Sequence, residues 1–452
     1  MTDPGSREEL AVVERFTTLA EWLEWLEQHH PTTIELGLER VAAVARALNI
    51  LPLDVPVVTV AGTNGKGSVV AALAAVLAAP DNPAKKRVGV YTSPHLLAFN
   101  ERIVVAGVPA SDALLQQAFV RVNRARYAAA SPAVSLTYFE FTTLAALLVF
   151  AEADLDVVLL EVGLGGRLDA VNIVDADIAV ITQVALDHQS WLGDDREQIG
   201  FEKAGILRPG QALVLAESNP PASVLQRADQ LDCIVYPAVS SAAVSTATRA
   251  HSWSGRGEYG RWEGSTADGT RLQREPLQPP KILAQNLSAA LQVAALLGAL
   301  PEAGVLDKVA SSIQPVGRQS WFSFKGRELL FDVAHNPAAV RCLNEHLLQR
   351  GAGGQIRVVF AAMADKDIQA ILAAFAVPVV HWYLPVLSDN DRACDPATLR
   401  EQLPANVPVV IGGTVAECLE QAVHNASQGD KILVFGSFYL VAEALQYLGY
   451  KG

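Results

Sequence analysis

The feature that most constrains this chain is a rhythm that begins near Val55. Short β-branched runs at 55–60, 87–91, 156–162, 178–184 and 212–215 alternate with stretches of helical periodicity. Strands joined through helices lie parallel, so the pattern predicts a mostly parallel, doubly wound α/β sheet. Such sheets receive ligands beyond the carboxyl ends of their strands. The residues before Val55 read as two helices, 20–30 and 36–48, the second carrying Leu36, Leu38, Val41, Val44 and Leu48 as one apolar stripe.

A second β/α series follows the segment QPVGR at 314–318, with runs at 329–333, 356–361, 379–384, 407–411 and 431–435. Between the two series, periodicity fades over about 237–280, where Ser, Thr, Gly and Arg dominate and short hairpins fit best; helical spacing returns at 282–300. At 452 residues the chain exceeds what one core usually supports. Two domains are expected. Residues 1–314 would form a P-loop-type mononucleotide-binding domain with the small β excursion, and 315–452 a smaller Rossmann-like α/β domain.

Composition serves mainly to exclude. Half the residues are hydrophobic and only 18% are charged, which is far from the composition of disorder. A formal charge of -13 repels polyanions, so neither nucleic acid nor an anionic membrane is an expected partner. No apolar run approaches the roughly 18 residues of a spanning helix. The first residues, MTDPGSREE, lack a basic and then apolar leader, and a cytoplasmic monomer is expected. Cys233, Cys342, Cys394 and Cys418 are scattered without a C-x-x-C pair and are given no chemical role.

The chemistry begins at GTNGKGS, residues 62–68, where a strand runs through a glycine-rich turn into a helix-forming stretch. That order aims backbone N–H groups and a helix dipole at one point, which suits a triphosphate, and Lys66 adds a point charge. The spacing departs from G-x-x-x-x-G-K-S/T: Gly62 stands three residues before Gly65, and Gly67 takes the place of the hydroxyl residue. A kinase, an ATPase and a ligase all remain compatible with the loop alone.

Three further segments close strands of the same series: YTSPH at 91–95, EVGLGGRLD at 161–169 and ALDH at 185–188. Glu161 is the clearest candidate to hold magnesium, which prefers oxygen ligands, although it could instead cap a helix or pair with Arg167. His188, taken alone, is more often a hydrogen-bonded structural histidine than a ligand. Lys203 reads as a helix-surface lysine, and a protonated amine cannot coordinate a metal.

Six ordered stretches, TVAGTNGKGS at 59–68, YTSPHL at 91–96, LEVGLGGRLDA at 160–170, ALDH at 185–188, EKAGI at 202–206 and FDVAHNP at 331–337, make the chain resemble the folylpolyglutamate synthases of the Mur ligase family, especially their bifunctional dihydrofolate synthase members. The resemblance implies ATP contacts at Thr63, Asn64, Gly65, Lys66, Gly67 and Ser68, with Asn286, Arg318 and Asp332 completing them. It also implies two magnesium sites, one at Ser93 and Glu161 and one at Glu161, His188 and Lys203, with the lysine carbamylated by CO₂, and a monovalent cation such as K⁺. Lys66, Lys203 and His335 would be catalytic. A pterin site would comprise Thr33, Ile34, Glu35, Leu36, Thr137, Tyr138, Phe139, Glu140, Leu168, Asp169 and Ala170. The implied substrates are ATP, L-glutamate and dihydropteroate or reduced folates. Asp332 and His335 also suit a plain turn, and Phe139 a core position. A P-loop kinase, a nucleotide-binding regulatory module and a Mur-type ligase for another carboxylate are the alternatives.

Overall fold

The β/α rhythm becomes two sheets in a computed structural model, which describes residues 16–30, 32, 34–239, 249–256, 259–349, 354–387 and 390–450. The chain divides into two units. The first comprises the residues up to His95, Phe99–Val184 and Arg196–Ile313; the second comprises Leu96–Ala98, Ala185–Asp195 and the residues from Gln314 onward.

The first unit is built on eight strands: β1 (Val57–Ala61), β2 (Val88–Tyr91), β3 (Ile103–Val105), β4 (Val108–Pro109), β5 (Val157–Glu161), β6 (Ile178–Ile181), β7 (Ala212–Leu215) and β8 (Ile234–Tyr236). Their order in space is β4-β3-β2-β5-β1-β6-β7-β8. β1 lies parallel between β5 and β6, with Val58 level with both Leu159 and Ile178. β3 and β4 form an antiparallel edge. Every residue of β1 and β5 is buried, as unbroken Val and Leu runs require of a sheet covered on both faces.

One face is covered by helices Asp112–Ala129 and Tyr138–Glu152, whose Phe119, Phe141 and Leu144 pack with Trp22 and Leu26 of helix Leu19–His29. The opposite face is covered by helix Lys66–Leu77, through Val69, Leu73 and Val76, and by helix Ala284–Leu296. The polar-looking stretch before that last helix becomes an antiparallel sheet of β9 (Ser252–Arg256), β10 (Tyr259–Ser265) and β11 (Arg271–Leu277). Residues 240–248 and 257–258 of the expected excursion lie outside the described residues. The small sheet is fastened to helix Ala284–Leu296 by polar groups. Trp262 donates its indole N–H to the Ser288 carbonyl at 3.2 Å, and the Gln292 amide both donates to Ser265 O at 2.6 Å and accepts from Ser265 N at 3.1 Å. His251 is fully buried between Ser288 Oγ and the Leu215 carbonyl, each 2.9 Å away, and burial holds its ring down at about 4.

The second unit has six strands: β12 (Ser320–Phe324), β13 (Arg327–Asp332), β14 (Ile356–Phe360), β15 (Val379–Leu384), β16 (Val409–Ile411) and β17 (Lys431–Phe435), in the order β12-β13-β17-β14-β15-β16. All pairings are parallel except the β12–β13 hairpin. Its two faces carry separate cores, one around Phe331, Val359 and Val434 and the other around Leu330, Phe360 and Phe435. Cys394 and Cys418 are buried, and burial pushes the Cys418 thiol up to about 11, so neither is a reactive thiolate.

Candidate active site

The phosphate loop leaves β1 at Gly62 and enters helix Lys66–Leu77 at Gly65, whose φ of 96° and ψ of -9° only glycine adopts without strain. A methyl group at Gly62 would lie 1.7 Å from Thr182 Oγ1, and one at Gly65 would lie 2.9 Å from both amide atoms of Asn286. The loop is thus pressed between the end of β6 and helix Ala284–Leu296, and Asn286, in the first turn of that helix, sits directly over it. Thr63 N donates to Gln183 O at 2.7 Å, Asn64 Nδ2 donates to Gln183 Oε1 at 3.2 Å, and the Lys66 ammonium bends back to the Gly62 and Thr63 carbonyls at 2.9 and 3.2 Å. Ser68 is buried in the first turn of the helix, and Gly67 contributes no side chain.

Magnesium chemistry requires hard oxygen donors beside such a loop. Glu161, the last residue of β5, is 4% exposed and accepts the backbone N–H of Ser93 at 3.2 Å. The register explains the meeting: β2 and β5 are parallel neighbours with Tyr91 level with Leu160, so Ser93 and Glu161 emerge together at the carboxyl edge. Arg167 does not neutralise Glu161 but grips Glu202, at 2.9 and 3.1 Å. No group of three or more His, Cys, Asp or Glu side chains suited to a metal occurs among the described residues. One carboxylate and one hydroxyl fit a magnesium ion that takes its other ligands from phosphate and water, as that ion commonly does.

Lys203 corrects the plain reading of its helix. Within Arg196–Ala204 it is 3% exposed, not a surface lysine. The helix end is drawn in by close glycine contacts: Gly205 has the Arg167 Cα and Cβ within 2.5 Å of where its own Cβ would stand, and Gly166 faces the Lys203 carbonyl. A buried lysine is costly as an ammonium, and a carbamate on it would supply the oxygen ligands that the amine lacks.

The three stretches named for a pterin also meet in the first unit. Gly37 N donates to Leu168 O at 3.4 Å, the Phe139 ring packs where a side chain on Gly163 would stand, and Phe139 lies 6.0 Å from the Tyr91 ring at an interplanar angle of 32°. Phe139 therefore belongs partly to the core and keeps part of its surface exposed. Asp169 is buried, which pushes its carboxyl up to about 6 against the N–H groups of Leu164 and Val171 and the charge of Lys66. Thr137 and Glu140 form a capping box at the start of helix Tyr138–Glu152. Thr33 lies outside the described residues.

The second unit gathers the remaining candidates. Arg318 stacks on the Phe438 ring at 4.9 Å. Asp332 closes a turn by accepting Ala334 N at 2.7 Å and Gln319 N at 3.0 Å, and its burial pushes the carboxyl up to about 6 although Arg318 opposes this. The turn chemistry expected of Asp332 is thus present alongside its proximity to Arg318. His335 meets the Val333 carbonyl through Nδ1 at 2.8 Å and faces Asp187 through Nε2 at 3.4 Å. His188 has a left-handed φ of 51° and belongs to the Ala185–Asp195 segment.

Asp187 was not singled out from the sequence, yet it is the hub of this cluster. Lys366 donates to it at 2.6 Å and Asn336 at 3.1 Å. Burial would raise its carboxyl, but the hydrogen bond and charge of His335, then His188 and Lys366, hold it well below the usual carboxylate range. Of the partners beyond its own segment, only His335 and Asn336 lie in a stretch picked out from the sequence, FDVAHNP at 331–337, and nothing in the sequence joins it to Asp187.

Known proteins are similar to this chain along nearly its whole length. A family model described as Mur ligase, glutamate ligase domain, matches residues 317–438. The dihydrofolate synthase/folylpolyglutamate synthase of Escherichia coli K12 is 39% identical over 431 residues, 95% of this chain and 95% of that protein. The protein of the same name from Haemophilus influenzae is 36% identical and covers 94% and 96% of the two chains. Among solved structures, E. coli FolC in complex with DHPP and ADP matches with a TM-score of 0.84 at 36% identity, covering 96% of this chain and 98% of that one. A bifunctional folylpolyglutamate synthase/dihydrofolate synthase with Mn, AMPPNP and L-glutamate bound matches with a TM-score of 0.82 at 37% identity, with the same coverage. With identity of this order along nearly the whole of both chains, the protein belongs to the dihydrofolate synthase/folylpolyglutamate synthase family of Mur-type ligases.

Proposed function

We propose that this chain is an ATP-dependent ligase that joins L-glutamate to 7,8-dihydropteroate and to the glutamate tail of reduced folates. The observation that carries this reading is the buried Glu161 carboxylate, accepting Ser93 N–H, at the carboxyl edge of the sheet whose central strand ends in the phosphate loop. Residues 1–314 act as the ATP-binding domain and 315–452 as the smaller C-terminal domain. ATP is gripped by Thr63, Asn64, Gly65, Lys66, Gly67 and Ser68 with Asn286; Arg318 and Asp332 contribute from the second unit. The pterin lies among Thr33–Leu36, Thr137–Glu140 and Leu168–Ala170.

The substrate carboxylate attacks the γ-phosphorus of ATP, forming an acyl phosphate and releasing ADP. The amine of glutamate then attacks the acyl carbon and expels phosphate, so that one amide bond forms per ATP cleaved. Carboxylates and amines at neutral pH form only a salt, and phosphorylation supplies the leaving group that the amide-forming step needs. The Lys66 ammonium and the loop N–H groups offset the charge that builds on the transferring phosphoryl group. Magnesium, when bound, screens the same charge; Ser93 and Glu161 would hold one ion, and Glu161, His188 and a carbamylated Lys203 a second. A monovalent cation such as K⁺, a monomeric state and a cytoplasmic location complete the proposal. Among the described residues no helix is long and apolar enough to cross a membrane.

The test is to incubate the protein with ATP, magnesium and L-glutamate, offer dihydropteroate or tetrahydrofolate separately, and follow ADP release and product mass. Each pterin should gain the mass of one glutamyl residue with matching ADP. ADP release that depends on neither pterin overturns the substrate assignment.

A further inference from the structure

Arg40 has no role in the reaction as described, yet two of the pterin stretches are joined through it. It stands in the first turn of helix Glu39–Leu48, and its guanidinium reaches three acceptors. Nη1 meets the Glu35 carboxylate; Nη2 donates to the Glu35 backbone carbonyl at 3.0 Å and to Glu140 Oε1 at 3.0 Å. Its partners differ in kind. Glu35 is exposed and belongs to the loop that precedes the helix, whereas Glu140 is buried 100 residues away at the start of helix Tyr138–Glu152.

Glu140 divides its carboxylate between two tasks. Oε2 accepts Thr137 N at 2.8 Å and closes the capping box, while Oε1 faces Arg40. The helix cap and the loop anchor therefore share one side chain. Glu35 is held from its other side by His30, whose Nε2 lies 2.8 Å from Oε2 and whose Nδ1 meets Ser135 Oγ at 2.8 Å, just before the capping box. Loop residues 34–37, Ser135 and the Thr137–Glu140 turn are thus bound into one frame whose central member is the guanidinium. A lysine could not reproduce this, because a planar fork satisfies separate acceptors at fixed angles and an ammonium is a single point of charge.

We infer that Arg40 is a positioning residue for the pterin substrate, setting the separation of the 34–37 loop from the Thr137–Glu140 turn before the substrate arrives. This rests on the pterin assignment proposed above. A loop already ordered in the free protein leaves less freedom to lose on binding, so the effect of Arg40 falls on pterin affinity. It leaves the phosphate loop untouched. A purely structural role would instead lower thermal stability and disturb both substrates alike.

The experiment compares wild type with Arg40→Gln, Arg40→Lys and Glu35→Gln. Readouts are KM for tetrahydrofolate and for ATP, kcat, melting temperature, and tetrahydrofolate Kd by calorimetry without turnover. Arg40→Gln should raise the pterin KM and Kd about tenfold while KM for ATP and kcat stay within about twofold. Arg40→Lys should fall between the two, and Glu35→Gln, at an exposed position that tolerates the change, should raise pterin KM about threefold. A folded Arg40→Gln variant with unchanged pterin KM, or with both KM values raised in parallel, overturns the inference alone. If Arg40→Gln does not fold, an unchanged pterin KM in Glu35→Gln overturns it. A wild type that neither binds nor extends the pterin overturns the substrate assignment and this inference with it.

Discussion

Replacing Gly65 by alanine perturbs the phosphate loop at the point where its backbone and Asn286 are closest. Two separate costs follow from the geometry. A φ of 96° lies outside the regions open to L-residues, and a non-glycine residue held there loses roughly 1–2 kcal/mol. The new methyl group would also stand 2.9 Å from both Nδ2 and Oδ1 of Asn286 and 3.2 Å from Cγ, too close for either end of the amide to remain. Asn286 is 3% exposed, on a helix whose Leu287, Ala290 and Leu291 are fully buried, so relief must come from its χ angles. Forcing a buried side chain off its rotamer costs about 1 kcal/mol.

The total, about 2–3 kcal/mol, should lower the melting temperature of the first unit by roughly 3–5 °C. Displacing the amide and tilting the loop N–H groups should also raise KM for ATP by at least about tenfold, with little change in pterin Kd. Calorimetric melting and an ADP-release assay measure both. The cycle with Asn286→Ala separates the two costs. Removing the amide leaves room for the methyl group, so Gly65→Ala/Asn286→Ala should be less destabilised than the sum of the single variants by about 1 kcal/mol, while the backbone cost persists. Additivity within about 0.3 kcal/mol, or a Gly65→Ala protein with wild-type melting and KM for ATP, would refute the contact on which this reasoning depends.

Lys203→Ala should reduce turnover far more than loss of an exposed helix lysine, with partial recovery on adding short carboxylic acids; wild-type rates would remove Lys203 from the metal site. His251 has its ring held at about 4, below the ordinary 6.5, so it contributes stability that is present above pH 6.5 and lost as pH falls through 4. Denaturant melts from pH 7.5 to 4 should show His251→Gln lacking an acid-side loss of up to roughly 3 kcal/mol, and an unchanged acid slope would exclude a buried neutral ring. Lys366→Met leaves the Asp187 carboxylate short of its 2.6 Å partner and should destabilise the second unit by about 3–5 kcal/mol, whereas Lys366→Met/Asp187→Asn should recover part of that. Equal calorimetric transitions for the single and double variants would show that the pair carries no such burden.

β1, β5 and β17 were legible to within two residues because they are mainly apolar runs buried along their whole length, a pattern that no loop and no surface helix produces. The antiparallel edge strands escaped notice for the opposite reason. β4 is two residues long and exposed, and β12 alternates with polar residues. The small sheet was expected as hairpins, but not the depth at which His251, Trp262 and Ser265 are buried, because that depth comes from helix Ala284–Leu296 packing over them. Lys203 was misread from first principles because periodicity shows which faces of a helix are apolar, and its buried face is set by the approach of the Gly166 and Gly205 backbones. Arg40 and Lys366 were not legible as hubs because their buried carboxylate partners, Glu140 and Asp187, lie 100 and 179 residues away; for Arg40 only the exposed Glu35 is near in sequence.

The same distinction bears on how the nucleotide and the metal are divided between parts of the fold. In the common phosphate loop the residue after the lysine is a hydroxyl, and one short segment carries both the phosphate and the magnesium. Here that position is Gly67, so the loop lacks a side-chain oxygen at the place where the common loop holds magnesium. Oxygen donors must come from elsewhere, and Ser93 and Glu161 stand at the ends of β2 and β5. Their meeting depends on the register of that parallel pair, with Tyr91 beside Leu160, and on β5 lying against β1, with Glu161 beside Val60. A one-residue slip of β5 would turn Glu161 to the other face of the sheet and separate it from Ser93. If Ser93 and Glu161 hold the metal as proposed, its position is a property of the sheet core, and apolar substitutions in β5 that alter its packing, well away from any ligand, should weaken metal binding as directly as substitutions in the loop.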